Sequence, residues 1–354
     1  RLGENGTPTA TTVANGLYIT ESKLISYFGR LNYNLNDRYI AGFSLRRDGS
    51  SRFGPGNQWG VFPSASFAWR LSQMPFMRGI AALSDLKFRA SWAKTGNQNI
   101  GDYLQYPTYT YGNSQAQYWM GNRWVTTIRP SAVDQNIKWE ATAPTNIGLD
   151  SGFMGQRFSG SIDWYTKKTT DMIFYVPVAG GTTLSNYVTT NIGSMKNTGL
   201  EFSLSAKVID GRGGDLAWTA DFTAATNTNE LININPNAIG AQQILDGGVS
   251  GGVGTYIQVI QPGTAVRSFF VCRQAYGTDG KPLQGPYLSL VGDTVLTGCS
   301  NSERRPYHDA LPKWQLGHTS RFTYHGFDMS FTLRAYLGNY VYNNVASNLG
   351  TYSE

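Results

Sequence analysis

The feature that most constrains this chain is hydrophobic alternation with a period of two residues, which places neighbouring side chains on opposite faces of a β-strand. In residues 197–208 one face carries Leu200, Phe202, Leu204 and Ala206. Residues 327–337 repeat the pattern with Phe327, Met329, Phe331, Leu333, Ala335 and Leu337. Helical periodicity explains neither stretch, and no apolar run approaches the ~18 residues that a membrane-spanning helix needs. The sequence therefore predicts an all-β protein.

The lengths of the predicted connections alternate along the chain. Short turns are expected at Asn36-Asp37, Gly155-Gln156, Gly211 to Gly214 and His325-Gly326. Long connections are expected over 48–60, 96–144, 168–194, 227–255 and 277–313, and a medium linker over 72–84. Outer-membrane barrels have short periplasmic turns at one rim and long extracellular loops at the other. A soluble sandwich has no reason to sort its loops by end, so the pattern favours an antiparallel transmembrane β-barrel.

Strands long enough to cross a bilayer, about 9 to 11 residues when tilted, number about twelve by this pattern. Two of them, near 255–260 and 265–273, are the weakest because Pro262-Gly263 interrupts the region. The count is compatible with a small closed barrel and equally with an arc of a larger one.

Charged side chains recur on the polar face of the predicted strands. A packed core cannot accept unpaired charges, so this face is expected to meet water in a barrel lumen. The residues expected to face the lumen are Arg46, Arg70, Arg89, Glu201 and Arg334. A soluble sheet protein whose polar face is simply exposed to solvent explains the same alternation and remains an alternative.

Composition and residue spacing argue against nucleic-acid binding, metal binding and enzyme activity. The 29 Lys and Arg residues against 23 Asp and Glu give a net charge of +6, but the basic residues are scattered singly, so no nucleic-acid partner is expected. The three histidines and two cysteines lack metal-ligand spacing, so neither a metal nor a cofactor is expected. No catalytic constellation is present, and the protein is interpreted as a non-enzyme. Cys272 and Cys299 permit one disulfide without requiring it.

The segment from Gly101 to Trp124 is unusually aromatic. Its candidate contact residues are Tyr103, Tyr106, Tyr109, Tyr118, Trp119 and Trp124. Aromatic faces beside amide side chains suit stacking on sugar rings or docking of a partner protein. A loop that packs on itself is the alternative explanation.

Several long motifs resemble the barrel of SusC/RagA-type TonB-dependent outer-membrane transporters. They are SLRRDGSSRFGPGNQWGVFPSASFAWRLSQMPFM (44–77), LSDLKFRASWAKTGNQNIGDY (83–103), IKWEATAPTNIGLDSGFMGQRFSGSIDWYTKKTTDMIF (137–174), NIGSMKNTGLEFSLSAKV (191–208) and LPKWQLGHTSRFTYHGFDMSFTLRAYLGNYVYN (311–343). The resemblance is dense from about residue 27 to residue 230 and thinner from 231 to 310.

The resemblance implies a 22-stranded barrel in the outer membrane of a Gram-negative cell, a plug inside it, and energisation by a TonB complex. It also implies a SusD-like surface lipoprotein as partner and an oligosaccharide or peptide as substrate. Residues 1–354 are expected to form one partial barrel domain, without the plug and the TonB-contacting segment. Two other functions remain open: a passive or structural outer-membrane barrel, and a soluble carbohydrate-binding or hydrolytic β-protein.

Overall fold

A computed structural model describes residues 20–77, 79–111, 117–178, 181, 185–211, 215–234, 243–249 and 255–345. Its first strands, in chain order, are β1 Leu24–Leu35, β2 Tyr39–Ser50, β3 Trp59–Arg70, β4 Leu83–Ala93, β5 Thr95–Asn97, β6 Tyr109–Tyr111, β7 Gln117–Met120, β8 Arg123–Thr126, β9 Ile128–Pro130, β10 Glu140–Phe153, β11 Phe158–Thr170 and β12 Ile173–Pro177. The remaining strands are β13 Tyr187–Asn191, β14 Ser194–Ile209, β15 Ala217–Asn233, β16 Ile244–Gly248, β17 Tyr256–Ile260, β18 Ser268–Val271, β19 Arg273–Tyr276, β20 Pro282–Leu288, β21 Val295–Leu296, β22 Arg305–Pro306, β23 Trp314–Tyr324 and β24 Phe327–Leu337. Short 3-10 helices span Leu71–Gln73, Pro75–Met77 and Asn301–Glu303. No described helix is long and apolar enough to cross a membrane.

Ten long strands form one antiparallel sheet in the order β1-β2-β3-β4-β10-β11-β14-β15-β23-β24, and the short β5 pairs with β10. The sheet confirms the predicted all-β fold. The expectation of about twelve long strands is wrong, because β17 and β18 belong to a small separate sheet with β16 and β22. Val259 and Ile260 are adjacent and both buried. This segment therefore lacks the polar face of a barrel strand.

Tight turns join the long strands at one end of the sheet. Asn36 and Asp37 both adopt positive φ, and the Asn34 side chain accepts a hydrogen bond from the Asp37 amide at 3.0 Å. Residues 36–38 separate the paired Leu35 and Tyr39, and the Arg38 amide donates to the Leu35 carbonyl oxygen at 3.0 Å, which closes the turn. The turns at Gly155-Gln156 and His325-Gly326 also have positive φ at both residues. Residues 212–214 of the fourth predicted turn lie outside the described residues.

The long connections lie at the opposite end and hold the small sheets β6-β9, β7-β8, β12-β13, β16-β17-β18-β22 and β19-β20-β21. The strands run further into these connections than the sequence pattern indicated. For example, β15 extends to Asn233 and β10 begins at Glu140. The predicted separation into a short-turn end and a long-connection end is present in the sheet.

Strand register assigns each side chain to a face. Arg89 lies opposite Gly148, which lies opposite Asp163, which in turn lies opposite Glu201. We call this side of the sheet the charged face. Pairing and alternation place the five predicted charges on it: Arg46, Arg70, Arg89, Glu201 and Arg334.

The other side, the apolar face, has nothing packed against it among the described residues. Phe43, Ile162 and Phe202 are 56%, 54% and 42% exposed although none of them lies on an edge strand of the sheet. A soluble two-layer protein buries such side chains between its layers. The single uncovered sheet therefore contradicts the sandwich form of the soluble alternative.

Buried apolar clusters lie in the long connections. One cluster contains Phe53, Phe62, Ile137 and Trp139, with Phe53 and Ile137 fully buried. Phe62 is the register partner of Arg46 and so lies on the charged face. The second cluster is Met172, Val176, Val188, Ile192, Leu231, Ile234 and Ile260. The Phe62 contacts show that the connections fold over the charged face at this rim.

Gly148 lies between Arg89 and Asp163 in the strand register, and its lack of a side chain leaves room for these two side chains to meet. A Cβ at this position would meet Asp163 Oδ1 and would lie 2.8 Å from Arg89 Nη2. In the full-length protein, Gly148→Val should therefore lower the free energy of unfolding by about 1 kcal/mol, because the ends of the Asp163 and Arg89 side chains must move aside and their ion pair is lost. Urea unfolding in detergent measures this, with Gly29→Ala as control because nothing lies within 4 Å of a Cβ at Gly29. Equal stability of both variants would contradict the predicted clash.

Candidate functional site

A ladder of ion pairs runs across the charged face. Arg89 donates from Nε to Asp150 Oδ2 at 2.9 Å and from Nη2 to Asp150 Oδ1 at 2.7 Å. The same Nη2 lies 2.9 Å from Asp163 Oδ1, and Lys87 Nζ lies 2.8 Å from Asp150 Oδ2. Because Gly148 has no side chain, the Arg89 guanidinium can extend from β4 across β10. It therefore reaches Asp163 on β11 as well as Asp150 on β10. Two cations and two anions balance, so the ladder holds the charged face together without favouring a ligand of one sign.

The other predicted lumen charges are in different environments. Arg46 pairs with Asp48 at 2.7 Å and donates to Ser26 Oγ at 3.2 Å. The Nε atom of Arg70 is buried and has no hydrogen-bond partner among the described residues. Glu201 and Arg334 line a polar hollow of about 330 Å³ on the charged face. Neither forms an ion pair with a described residue, so both are free to interact with whatever fills that hollow.

Three of the predicted aromatic residues lie on the β7-β8 hairpin. Tyr118, Trp119 and Trp124 are 64%, 56% and 63% exposed. Trp119 and Trp124 are register partners, and their rings meet edge to face at 5.2 Å between centroids. Alternation places Tyr118 on the other face of the hairpin, which therefore presents aromatic surface on both sides. The tryptophan pair is a contact within the loop, as the alternative explanation expects, whereas the Tyr118 side chain is exposed.

The other three aromatic residues lie elsewhere in the same connection. Tyr106 and Tyr109 are exposed, and Tyr109 lies on β6, which pairs with β9 rather than with the hairpin. Tyr103 is partly buried, has φ of 64°, and its hydroxyl accepts a hydrogen bond from the Glu21 amide at 3.0 Å. The six residues are therefore divided among separate local structures instead of forming one aromatic platform.

An aromatic cleft that the sequence analysis did not identify lies between the β12-β13 hairpin and the β16-β17 hairpin. Its volume is about 710 Å³. Tyr175 and Tyr187 stack at 5.0 Å between ring centroids with an interplanar angle of 19°. Arg267 Nε donates to Asp246 Oδ2 at 2.6 Å on the same lining. Phe174, Tyr175 and Tyr187 in the connection 168–194 were the available signal, but the sequence does not show that β16 and β17 fold against them.

Cys272 and Cys299 form a disulfide with Cα atoms 6.0 Å apart. It joins the start of β19 to the segment before the 3-10 helix Asn301–Glu303, so it closes the part of the chain that forms the β19-β20-β21 sheet. Among the described residues no group of three or more His, Cys, Asp or Glu side chains is arranged to hold a metal ion.

Comparisons with known proteins agree with this geometry. The family model described as TonB dependent receptor-like, beta-barrel, matches residues 2–353. The TonB-dependent receptor SusC of Bacteroides thetaiotaomicron is 40% identical over 334 residues, which is 94% of this chain and 33% of that protein. The TonB-dependent receptor P39 of Formosa agariphila is 30% identical, covering 93% of this chain and 34% of the relative.

Solved structures show the same fold. The structure of the RagAB peptide transporter superposes with a TM-score of 0.73 at 22% identity, over 93% of this chain and 35% of the matched chain. The RagAB peptide importer in the open-open state gives a TM-score of 0.71 at 24% identity, over 93% of this chain and 34% of that chain.

The chain spans about a third of the length of these relatives. The family match and the large antiparallel sheet identify it as part of a β-barrel. The family consists of transporters and receptors rather than enzymes. The chain therefore belongs to the β-barrel family of TonB-dependent receptors, as a SusC/RagA-type member.

Proposed function

We propose that this chain forms part of the wall of an outer-membrane transporter that imports oligosaccharides or peptides. In this proposal the apolar face contacts lipid and the charged face lines the lumen. The supporting observation is the single sheet whose mid-sheet apolar side chains remain exposed while its charges share the opposite face. Lipid can cover such apolar side chains, whereas the charges require water or a polar plug.

Polar groups on the apolar face support contact with lipid. Trp218 Nε1 donates to Ser320 Oγ at 3.2 Å, and His318 Nε2 lies 3.0 Å from the same oxygen. Ser320 is 1% exposed. Hydrocarbon offers no hydrogen bonds, so polar atoms on a lipid-facing surface must find partners within the protein. These three side chains meet that requirement.

The transporter would act with a SusD-like surface lipoprotein and would be energised by a TonB complex that contacts a part of the protein other than these residues. The names of the relatives support TonB dependence. The β7-β8 hairpin supports a protein partner, because Tyr118, Trp119 and Trp124 present exposed aromatic area on both of its faces. Aromatic residues of this kind are enriched where proteins bind each other.

For the substrate, the cleft beside Tyr175 and Tyr187 favours an oligosaccharide over a peptide. A stacked aromatic pair offers a flat apolar face to a sugar ring, and the Asp246–Arg267 pair adds an acceptor and donors for hydroxyl groups. Because the cleft lies in the long connections, it is placed at the extracellular mouth in this proposal. The charged ladder then lines the route inward.

Uptake by whole cells tests this function. A strain lacking the full-length gene should fail to take up a labelled oligosaccharide, and the wild-type gene should restore that uptake.

A double variant tests the cleft. Tyr175→Ala with Tyr187→Ala should reduce uptake roughly two- to tenfold at limiting substrate because stacking is lost. Tyr276→Ala, which removes an exposed tyrosine from a different sheet, is the matched control. Restoration of peptide uptake alone would reassign the substrate, and uptake that persists without TonB would favour the passive barrel.

The hairpin yields a separate prediction on partner binding. Trp119→Ala with Trp124→Ala should lower the amount of surface lipoprotein that copurifies with the detergent-extracted, full-length transporter. Truncation of buried aromatic anchors at an interface costs about 2 kcal/mol or more. Quantitative mass spectrometry of the purified complex measures the ratio of the two proteins, with Tyr276→Ala again as control. An unchanged ratio would show that the hairpin does not contact the partner.

A further inference from the structure

The charged residues on the apolar face are distributed unevenly. In the ten long strands, register and alternation place Arg47, Lys168, Lys196 and Glu230 on that face. Each lies within three residues of the end of its strand, and in every case this is the long-connection end. Lys94 follows β4 directly and continues the alternation from Trp92 onto the same face, with its amide donating to the Pro63 carbonyl oxygen at 2.8 Å.

The opposite rim carries no such charges in the described strands. The residues of the apolar face nearest the short turns are Leu35, Tyr39, Trp69, Phe153, Phe158, Trp218, Tyr324 and Phe327. The four cations are therefore confined to one of two rims. A general preference of basic residues for both water interfaces would not produce this asymmetry.

The cations also lie close to one another across the sheet. Lys168 and Lys196 are direct register partners on neighbouring strands, and Lys196 is the register partner of Glu230. Like charges directly opposite each other on a sheet are destabilising. Arg47, Lys94, Lys168 and Lys196 are exposed, and none of them forms an ion pair with a described residue. Glu230 supplies one carboxylate to a row of four cations, so the row keeps an excess of positive charge that a further anion would neutralise.

Aromatic rings orient one of these cations. The Arg47 guanidinium lies over the Trp59 ring at 4.7 Å from its centroid, and the Tyr27 ring lies 6.2 Å from Trp59. Gly49 leaves space for the Trp59 ring, which would be 2.9 Å from a Cβ at that position. The contact with the Trp59 ring fixes the direction of this planar donor group.

We propose that Arg47, Lys94, Lys168 and Lys196 form a cationic belt that binds the phosphate groups of the phosphorylated glycolipid in the outer leaflet of the outer membrane. The inference rests on the proposed function, because it requires the long connections to be extracellular and the apolar face to contact lipid. Charge complementarity identifies the ligand: several neighbouring cations on a lipid-facing rim match an anionic headgroup layer. Each Lys or Arg near an anionic lipid surface strengthens binding.

Lipid retention by the full-length protein tests the proposal. The variant Lys94→Gln, Lys168→Gln, Lys196→Gln should bind bisphosphorylated lipid A at least about tenfold more weakly than wild type, because three charges near the headgroups are lost. The matched control, Lys138→Gln, Lys167→Gln, Lys207→Gln, removes the same charge; Lys167 is adjacent to Lys168 but faces the other side of the sheet, and Lys207 lies on the charged face of β14. Native mass spectrometry of the folded, detergent-solubilised protein gives the bound fraction at each lipid concentration.

The lipid probes separate the possible ligands. Binding of bisphosphorylated lipid A by wild type and the control, with weak binding of its dephosphorylated form, supports the belt. Equal binding of both lipid forms, or an equal loss in the control, overturns it. If inorganic phosphate alone occupies the site as well as the lipid does, the ligand is a soluble anion and the lipid assignment is wrong.

Cell fractionation of wild type separates the failure of this proposal from the failure of the proposed function. Absence of the protein from the outer membrane refutes the proposed function. Outer-membrane location, with unchanged lipid binding by the triple variant, refutes only the belt.

Discussion

The rest of the structure depends on one constraint: backbone pairing holds each long strand in a single sheet, and no second layer covers that sheet in the part of the chain that the structure describes. Hydrogen bonds between neighbouring strands fix the register, and the register sends charged and apolar side chains to opposite faces. A one-residue slip would move Arg89, Asp163 and Glu201 to the apolar side. The ion pairs of the charged face therefore stabilise the same alignment that the alternation specifies.

Apolar packing is concentrated in the long connections, which distinguishes this protein from an ordinary soluble β-protein. Phe53, Ile137, Val176 and Val259 are fully buried there, while Phe43 and Ile162 in the sheet are not. The connections thus have small cores of their own and present defined surfaces, such as the β7-β8 hairpin and the cleft beside Tyr175. Surfaces of this kind can differ between relatives while the strand pattern is maintained.

The sequence predicted the sheet well because strand faces follow from local alternation alone. It failed for β17 and β18, since the apolar run Val259-Ile260 is equally compatible with a barrel strand and with a buried strand in a connection. The ladder of Lys87, Arg89, Asp150 and Asp163 was only partly predictable. The shared face follows from periodicity, but the pairing depends on register and on Gly148. The cleft was not predictable, because it joins segments far apart in sequence.

The most direct test of the account is the environment of successive positions along β14, from Leu200 to Leu204. Single cysteines are introduced in the full-length protein in native outer membranes, and each is labelled with an environment-sensitive fluorophore. The account predicts that labels at Leu200, Phe202 and Leu204 are quenched by lipid-soluble agents, while labels at Glu201 and Ser203 respond to water-soluble ones. Uniform quenching from water at all five positions would contradict the claim that one face of this sheet contacts lipid.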